Sequence, residues 1–305
     1  MADIKLFRIA DSGVTELPAK AVAIEKSLQT LIERHLEPLL GVRFLASEYS
    51  TGKTHGGRID TLGLDENGFP VIIEYKRASN ESIINQGLFY LDWLMDHRAE
   101  FEKVVRMHSE LGPEYANKVE WSNPRLLCIA GDFSRYDEYA VQQIDRTIEL
   151  IRYRKYEDGL LLLELVNATV GQANASSSSV SGSARNDYKT VEEYLEQSPE
   201  SLKDIFHEQE AFIQALGDDV QKKTLKYYFA YKRIKNFVCT EVHPQSHTIL
   251  TFVKINPDTV ELEDGFTRDV RNIGHYGTGD LEIRINTRDD LERAKPLIEA
   301  SYAVS

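Results

Sequence analysis

The stretch of sequence that decides the fold is GRIDTLGLDENGFPVIIEYKR, residues 57–77. Two runs rich in apolar and β-branched residues flank Asp-Glu-Asn-Gly, which is a strong signal for a β-hairpin. Each run is apolar on both faces, as expected of strands in the middle of a buried sheet. We therefore predict adjacent central strands over residues 58–65 and 69–77, joined by a tight turn.

The register of this hairpin determines which polar side chains share a face. A two-residue turn would direct Asp60 and Glu74 to opposite faces of the hairpin. A three-residue loop, with Gly68 in the left-handed conformation, places the two carboxylates directly opposite each other. We favour the second register, in which Lys76 follows two residues later on the same face.

Two carboxylates about 5 Å apart on an apolar sheet repel each other unless a cation lies between them. Hard divalent cations, Mg²⁺ or Mn²⁺, match such oxygen ligands, and the backbone carbonyl of Ile73 would be a further ligand. The ammonium group of Lys76 could orient an attacking water and stabilise charge on a phosphate. The sequence thus predicts a metal site formed by Asp60, Glu74 and Ile73. The alternative is a cross-strand salt bridge on an exposed strand pair, which the apolar faces disfavour.

An Asp followed after thirteen residues by Glu-x-Lys on consecutive strands resembles the PD-(D/E)XK nuclease superfamily. The resemblance implies a restriction-endonuclease-like α/β fold over residues 1–166, a mixed sheet flanked by helices. RecB-like and mismatch-cleaving nucleases look closest. It also implies Mg²⁺- or Mn²⁺-dependent hydrolysis of DNA, with Asp60 and Glu74 holding the ion and Lys76 positioning water or stabilising charge.

A predicted helix over residues 21–40 precedes the hairpin. Glu25 falls inside its apolar stripe, which is formed by Leu28, Ile32, Leu36 and Leu39. In the superfamily a glutamate of this helix often supports the metal, so the resemblance assigns that role to Glu25. The alternative is a solvated glutamate that favours the helix dipole.

A second predicted helix, residues 80–110, follows the hairpin and carries Gln86 and Tyr90 one turn apart. This Gln-x-x-x-Tyr pattern resembles a motif of RecB-like nucleases that lies beside the metal. The resemblance implies that Gln86 orients the reacting groups and that Tyr90 helps place the nucleic-acid backbone. For Tyr90, core packing is the alternative.

Basic residues cluster near the predicted site along the sequence. The stretch 50–57 is interpreted as a flexible loop with donors suited to phosphate. We predict nucleic-acid contacts from Lys53, His55, Arg58 and Arg77, against the alternative of an ordinary polar loop.

Residues 167–187 lack aromatic residues and are dominated by Ser, Ala, Gly and Asn, which predicts a flexible linker. Residues 188–305 are interpreted as a small α+β domain that includes a helix over 218–233, where aromatic and basic residues interleave. They resemble an uncharacterised C-terminal domain fused to PD-(D/E)XK modules in proteins labelled "predicted transport protein". We expect this domain to select the substrate by stacking on bases or to hold a homodimer together. The alternative for its aromatic residues is core packing.

Composition restricts the functional classes. The net charge of −13 argues against a general nucleic-acid coat protein. No apolar run approaches the roughly 18 residues of a membrane span. The two cysteines stand far apart and the N-terminus does not resemble a secretion signal, so we expect a cytoplasmic protein. The resemblance to PD-(D/E)XK nucleases implies a DNA endonuclease of restriction-like defence or repair, with RNA as a further substrate class. The alternative is a non-cleaving module that binds nucleic acid or protein.

Overall fold

The structure is a computed structural model that describes residues 4–11, 13–19, 25–76, 83–169 and 189–305, without the side chains of Glu25 and Thr54. The chain divides into two compact units, Met1–Ser176 and Ser177–Ser305. This division falls inside the predicted linker. Residues 167 and 168 end the last strand of the first unit, and residues 170–187 lie outside the described part.

The first unit is a mixed α/β structure. Its described strands are β1 (Leu6–Ala10), β2 (Gly13–Leu17), β3 (Val42–Ser50), β4 (Arg58–Asp65), β5 (Pro70–Lys76), β6 (Arg125–Ala130), β7 (Thr147–Lys155) and β8 (Leu161–Ala168). Its described helices are α1 (Glu25–Arg34), α2 (Leu36–Leu40), α3 (Gly52–His55), α4 (Ile83–Asp96), α5 (Arg98–Met107), α6 (Gly112–Ala116) and α7 (Arg135–Gln142). Strands β1 and β2 form a hairpin, and β3 to β8 form one sheet in sequence order. Within this sheet β5, β6 and β7 are parallel and the other neighbours are antiparallel.

The predicted register of the central hairpin is confirmed. Thr61 pairs with Ile73 along β4 and β5. The Asp65 N–H donates to the Phe69 carbonyl at 2.9 Å, and Gly68 has a φ of 83°. A three-residue loop with a left-handed glycine therefore joins the strands, as the turn chemistry indicated.

Helices α1 and α4 cover opposite faces of this hairpin. The hydroxyl of Thr61 donates to Glu33 of α1 at 2.7 Å. The neighbouring Leu62 instead joins the core that contains Leu91 and Leu94 of α4. Because successive strand residues point to opposite faces, Glu74 shares the α4 face with Leu62.

The predicted helix over residues 21–40 is two helices, α1 and α2, with a break at His35. Pro38 accounts for the break, since its ring has no N–H to donate and would clash with the carbonyl of Arg34 in a continuous helix. The predicted helix over residues 80–110 is likewise divided, into α4 and α5.

A buried ion-pair triad fastens the turn end of the hairpin to the parallel strands. Arg125, only 4% exposed, donates to Glu149 through Nε and Nη2 and to Asp65 through Nη1, each at 2.8 Å. These three residues belong to β6, β7 and β4. The triad therefore connects the middle of the sheet through side chains as well as backbone.

We expect Arg125→Met to lower the free energy of unfolding by about 3–5 kcal/mol, because it leaves two buried carboxylates without their cation. Urea unfolding followed by circular dichroism measures the change. The exposed Arg135 of α7 supplies the control, since Arg135→Met removes the same charge from the surface. Equal stability of the two variants would contradict the structural role of the triad.

The second unit is an antiparallel sheet with helices packed on one face. Its described elements are α8 (Val191–Glu196), α9 (Glu200–Ala215), β9 (Gln221–Thr224), β10 (Phe229–Lys232), β11 (Asn236–His243), β12 (Thr248–Val253), β13 (Thr267–Asp269), β14 (Leu281–Ile285) and α10 (Arg288–Ala303). The strand order is β13-β14-β12-β11-β10-β9.

The predicted helix over residues 218–233 is wrong, because this stretch forms β9, a turn and β10. Phe229 and Tyr231 enter the core on one side of β10, and the ring of Phe229 lies 4.9 Å from that of Phe206 in α9. Aromatic residues at alternate positions suit a strand that finds partners on both sides. The local sequence is compatible with a helix and with strands, and pairing with neighbouring strands of the sheet selects the strands.

Candidate functional site

The backbone pairing of the central sheet is interrupted at Asp60, which leaves an opening between the strands. The pairing of β3 with β4 skips Glu48 and Asp60, and the pairing of β4 with β5 ends at Thr61 and Ile73. Glu48 has a φ of 52°, a left-handed conformation that is uncommon outside glycine. Asp60 thus belongs to neither ladder, and the strands separate where the predicted site lies.

At this opening, hydrogen bonds between backbone N–H groups and side-chain carboxylates replace those of the backbone ladder. The Asp60 N–H donates to Oε1 of Glu74 at 3.2 Å, and the Tyr75 N–H donates to Oδ2 of Asp60 at 3.0 Å. Each carboxylate is therefore held by the backbone of the opposite strand. This crossed pair of hydrogen bonds brings together the two residues that the sequence predicted as partners.

The environment of Glu74 disfavours an isolated negative charge. Its side chain is 0% exposed, and burial, followed by the charge of Asp60, raises its pKa to about 9. The Asp60 N–H and the ammonium group of Lys76 act in the opposite direction. Its Oε2 atom is buried and accepts no hydrogen bond from the described residues. Such an oxygen is stable only with a proton or a cation beside it.

The donors at the opening fit a hard divalent cation. In the described part of the chain, no group of three or more His, Cys, Asp or Glu side chains is arranged to hold a metal ion. Two carboxylates and a backbone carbonyl, completed by water, are nonetheless the donors that Mg²⁺ commonly accepts. The orphaned Oε2 of Glu74 is one such donor.

Of the two backbone carbonyls, that of Tyr75 is better placed to reach an ion at the opening than that of Ile73, the residue predicted from the sequence. The N–H of Tyr75 points toward β4, where it meets Asp60, so its carbonyl points to the same side of the strand. By the same alternation, the carbonyl of Ile73 accepts from the N–H of its partner Thr61 within the ladder. The carbonyl of Tyr75 lies beyond the last pair and faces the opening.

Of three further predicted residues, the structure describes Lys76, only the backbone of Glu25, and no part of Arg77. Lys76 ends β5, is half-buried, and follows Glu74 on the same face of the sheet. Glu25 is the first residue of α1, but its side chain lies outside the described part, as does all of Arg77. The predicted roles of Glu25 and Arg77 stay predictions.

Sequence reasoning missed the polar face of α1. Lys26, Gln29 and Glu33 follow one another at helical spacing and face the opening between β3 and β4. The Lys26 ammonium donates to Glu48 at 2.7 Å and lowers the pKa of that carboxyl. Polar residues at this spacing beside an apolar stripe were the available signal, whereas nothing in the sequence indicated the conformation of Glu48.

The side chain of Tyr90 packs against the start of β4. Its ring is 6% exposed, and its hydroxyl accepts from the Arg58 N–H at 3.2 Å and from Nε2 of Gln86 at 3.4 Å. A Cβ atom on Gly57 would lie 2.5 Å from this ring, so only glycine permits the approach. A buried ring cannot stack on bases. Tyr90 therefore supports the start of β4, in place of direct nucleic-acid contact, whereas the orienting role of Gln86 stays a prediction.

The segment before β4, predicted as a loop, contains a short helix, α3. The Gly57 N–H donates to the Thr51 hydroxyl at 3.0 Å, which closes the turn. Lys53 and Arg58 are exposed, whereas the ring of His55 lies against other aromatic rings. Lys53 and Arg58 are the predicted basic residues that the structure presents to solvent on this side.

The comparisons with known proteins cover both units. Residues 191–305 match a family described as a domain of unknown function (DUF5655). An uncharacterized protein of Haemophilus influenzae is 28% identical over 307 residues, covering 97% of this chain and 98% of that protein. No solved structure matches the chain. Neither similarity carries an activity, so the function rests on the site itself.

None of the described helices is long and apolar enough to cross a bilayer.

Proposed function

We propose that the first unit is a Mg²⁺- or Mn²⁺-dependent nuclease of the PD-(D/E)XK type, with a restriction-endonuclease-like fold, that hydrolyses phosphodiester bonds in DNA. The observation that supports this most is the crossed pairing of Asp60 and Glu74 around a buried carboxylate oxygen without a donor. A structural role in a hydrogen-bonded network would give that oxygen a donor, whereas here it accepts no hydrogen bond from the described residues.

Each residue has a separate task in this proposal. Asp60, Glu74 and the Tyr75 carbonyl provide oxygen donors for the ion. When bound, the ion would neutralise charge on the scissile phosphate and make water nucleophilic near neutral pH. Lys76, on the same face, places the attacking water and stabilises charge that develops on the phosphate.

Substrate affinity is expected to be modest and strongly dependent on salt. The chain has a net charge of −13, and of the basic residues predicted to contact nucleic acid, Lys53 and Arg58 are exposed. Phosphate neutralisation supplies most non-specific affinity, so few contacts mean weak binding. The second unit is therefore proposed to contribute to substrate selection, by binding DNA or by bringing two chains to one duplex.

The direct test is cleavage by the full-length protein. Supercoiled plasmid, circular single-stranded DNA, mismatched duplex and structured RNA are incubated with Mg²⁺, Mn²⁺ or EDTA. We expect phosphodiester cleavage of at least one DNA substrate with Mg²⁺ or Mn²⁺ and none with EDTA. DNA binding without cleavage under all conditions would favour a non-cleaving module. Loss of both binding and cleavage would remove the nucleic-acid assignment.

A further inference from the structure

Gln29 is a buried amide that reaches from α1 into the opening of the sheet. Its side chain is 4% exposed. Its Nε2 atom donates to the Asp60 carbonyl at 2.8 Å and to Oε1 of Glu33 at 3.0 Å, and it lies 3.3 Å from the Ser47 hydroxyl. The N–H groups of this amide thus point to β3, β4 and α1 around Asp60.

The orientation of the amide is set from its other end. The Lys26 ammonium donates to Oε1 of Gln29 at 3.1 Å, and an ammonium group can only donate. The oxygen therefore faces Lys26 and the nitrogen faces the Asp60 carbonyl. An inverted amide would bring oxygen against two acceptors.

This contact matters because Asp60 is paired with neither β3 nor β5 in the sheet. In a regular strand, neighbouring backbones would fix the carbonyl and the N–H of such a residue. Here the carbonyl is held by Gln29 and the N–H by Glu74. The direction of the Asp60 side chain follows from this backbone, so Gln29 controls where its carboxylate points.

We propose that Gln29 is a positioning residue, which holds the backbone of Asp60 so that its carboxylate shares a divalent cation with Glu74. This inference rests on the proposed metal-dependent function. Gln29 acts through Asp60 and touches neither the ion nor the substrate. Its loss should weaken metal binding and slow the chemical step while leaving the KM for DNA unchanged.

The test compares the full-length wild type with Gln29→Leu and Gln29→Glu. The first removes all polar contacts at similar volume. The second keeps the shape of the side chain and its contact with Lys26 but removes the N–H donors to the Asp60 carbonyl and to Glu33. Gln209→Leu is the matched control, because Gln209 is a 1% exposed helix amide that donates to Thr251 in the second unit at 2.7 Å. Mn²⁺ affinity is measured by electron paramagnetic resonance, and kcat and KM on plasmid and circular single-stranded DNA.

We expect both Gln29 variants to raise the Mn²⁺ dissociation constant and to lower kcat, each by about 10–100-fold, as for other residues that orient metal ligands. Gln209→Leu should leave both values at the wild-type level despite a comparable loss of thermal stability. Wild-type Mn²⁺ affinity and kcat in either folded Gln29 variant would overturn the inference and leave the proposed function standing. A wild-type chain that neither binds Mn²⁺ nor cleaves DNA would overturn both.

Discussion

Glu74→Gln is expected to lower metal-dependent DNA cleavage by about 10³-fold or more, since loss of a charged ligand removes several kcal/mol of transition-state stabilisation. The substitution keeps the volume of the buried side chain, and its amide oxygen can still accept from the Asp60 N–H. Asp60→Asn should have the same effect for the same reason. Initial rates on supercoiled plasmid at saturating Mg²⁺ measure the loss.

The matched control is Asp92→Asn, which neutralises an exposed carboxylate on α4 in the same unit. It should cleave at the wild-type rate. A Glu74→Gln variant that cleaves as fast as the Asp92→Asn control would remove Glu74 from the site.

Lys76→Met should retain metal binding and lose about 10²-fold in kcat, as expected when a charge-stabilising group is removed.

The second large effect concerns pH and the metal-free protein. The pKa of Glu74 is raised from 4.5 to about 9 in the folded chain, so the folded state binds a proton that the unfolded state releases. The stabilisation of the folded state by this proton is fully present below pH 4.5. It decreases as the pH rises above 4.5 and is lost as the pH passes through 9. The shift corresponds to about 6 kcal/mol at most, from 1.36 kcal/mol for each pKa unit. In EDTA, the free energy of unfolding should therefore fall between pH 5 and 9.

Glu74→Gln isolates this contribution because the amide does not titrate. Urea unfolding at several pH values should show a shallower decline for the variant, which becomes more stable than the wild type near pH 8.5. Mg²⁺ should restore the stability of the wild type at that pH, and its binding should release a proton. Parallel pH profiles of the two proteins in EDTA would show that Glu74 is ionised without a cation.

The hairpin could be predicted because two local features agreed. The apolar runs identified central strands, and the chemistry of the Asp-Glu-Asn-Gly turn selected the register that pairs Asp60 with Glu74. A one-residue slip would have separated the carboxylates, so the site followed from the turn. The ends of β4 and β5 were accordingly predicted to within a residue or so.

The rest of the site depends on contacts between distant elements. The left-handed conformation of Glu48 and the reach of Gln29 to the Asp60 carbonyl arise only when α1 packs against β3 and β4. Nothing in the sequence indicates the conformation of Glu48, and helical spacing indicates only that Gln29 lies on a polar face of α1. The same cause turned residues 221–232 into two strands, because pairing with β11 outweighed a helical pattern.

The most direct test of the central claim is the anomalous scattering of Mn²⁺ in crystals of the full-length protein. We predict one strong peak in the opening of the sheet, within coordination distance of the Asp60 and Glu74 carboxylates and the Tyr75 carbonyl. The peak should be lost in Glu74→Gln crystals grown under the same conditions. A map with no peak at this position, or with Mn²⁺ bound only elsewhere in the chain, would contradict the account.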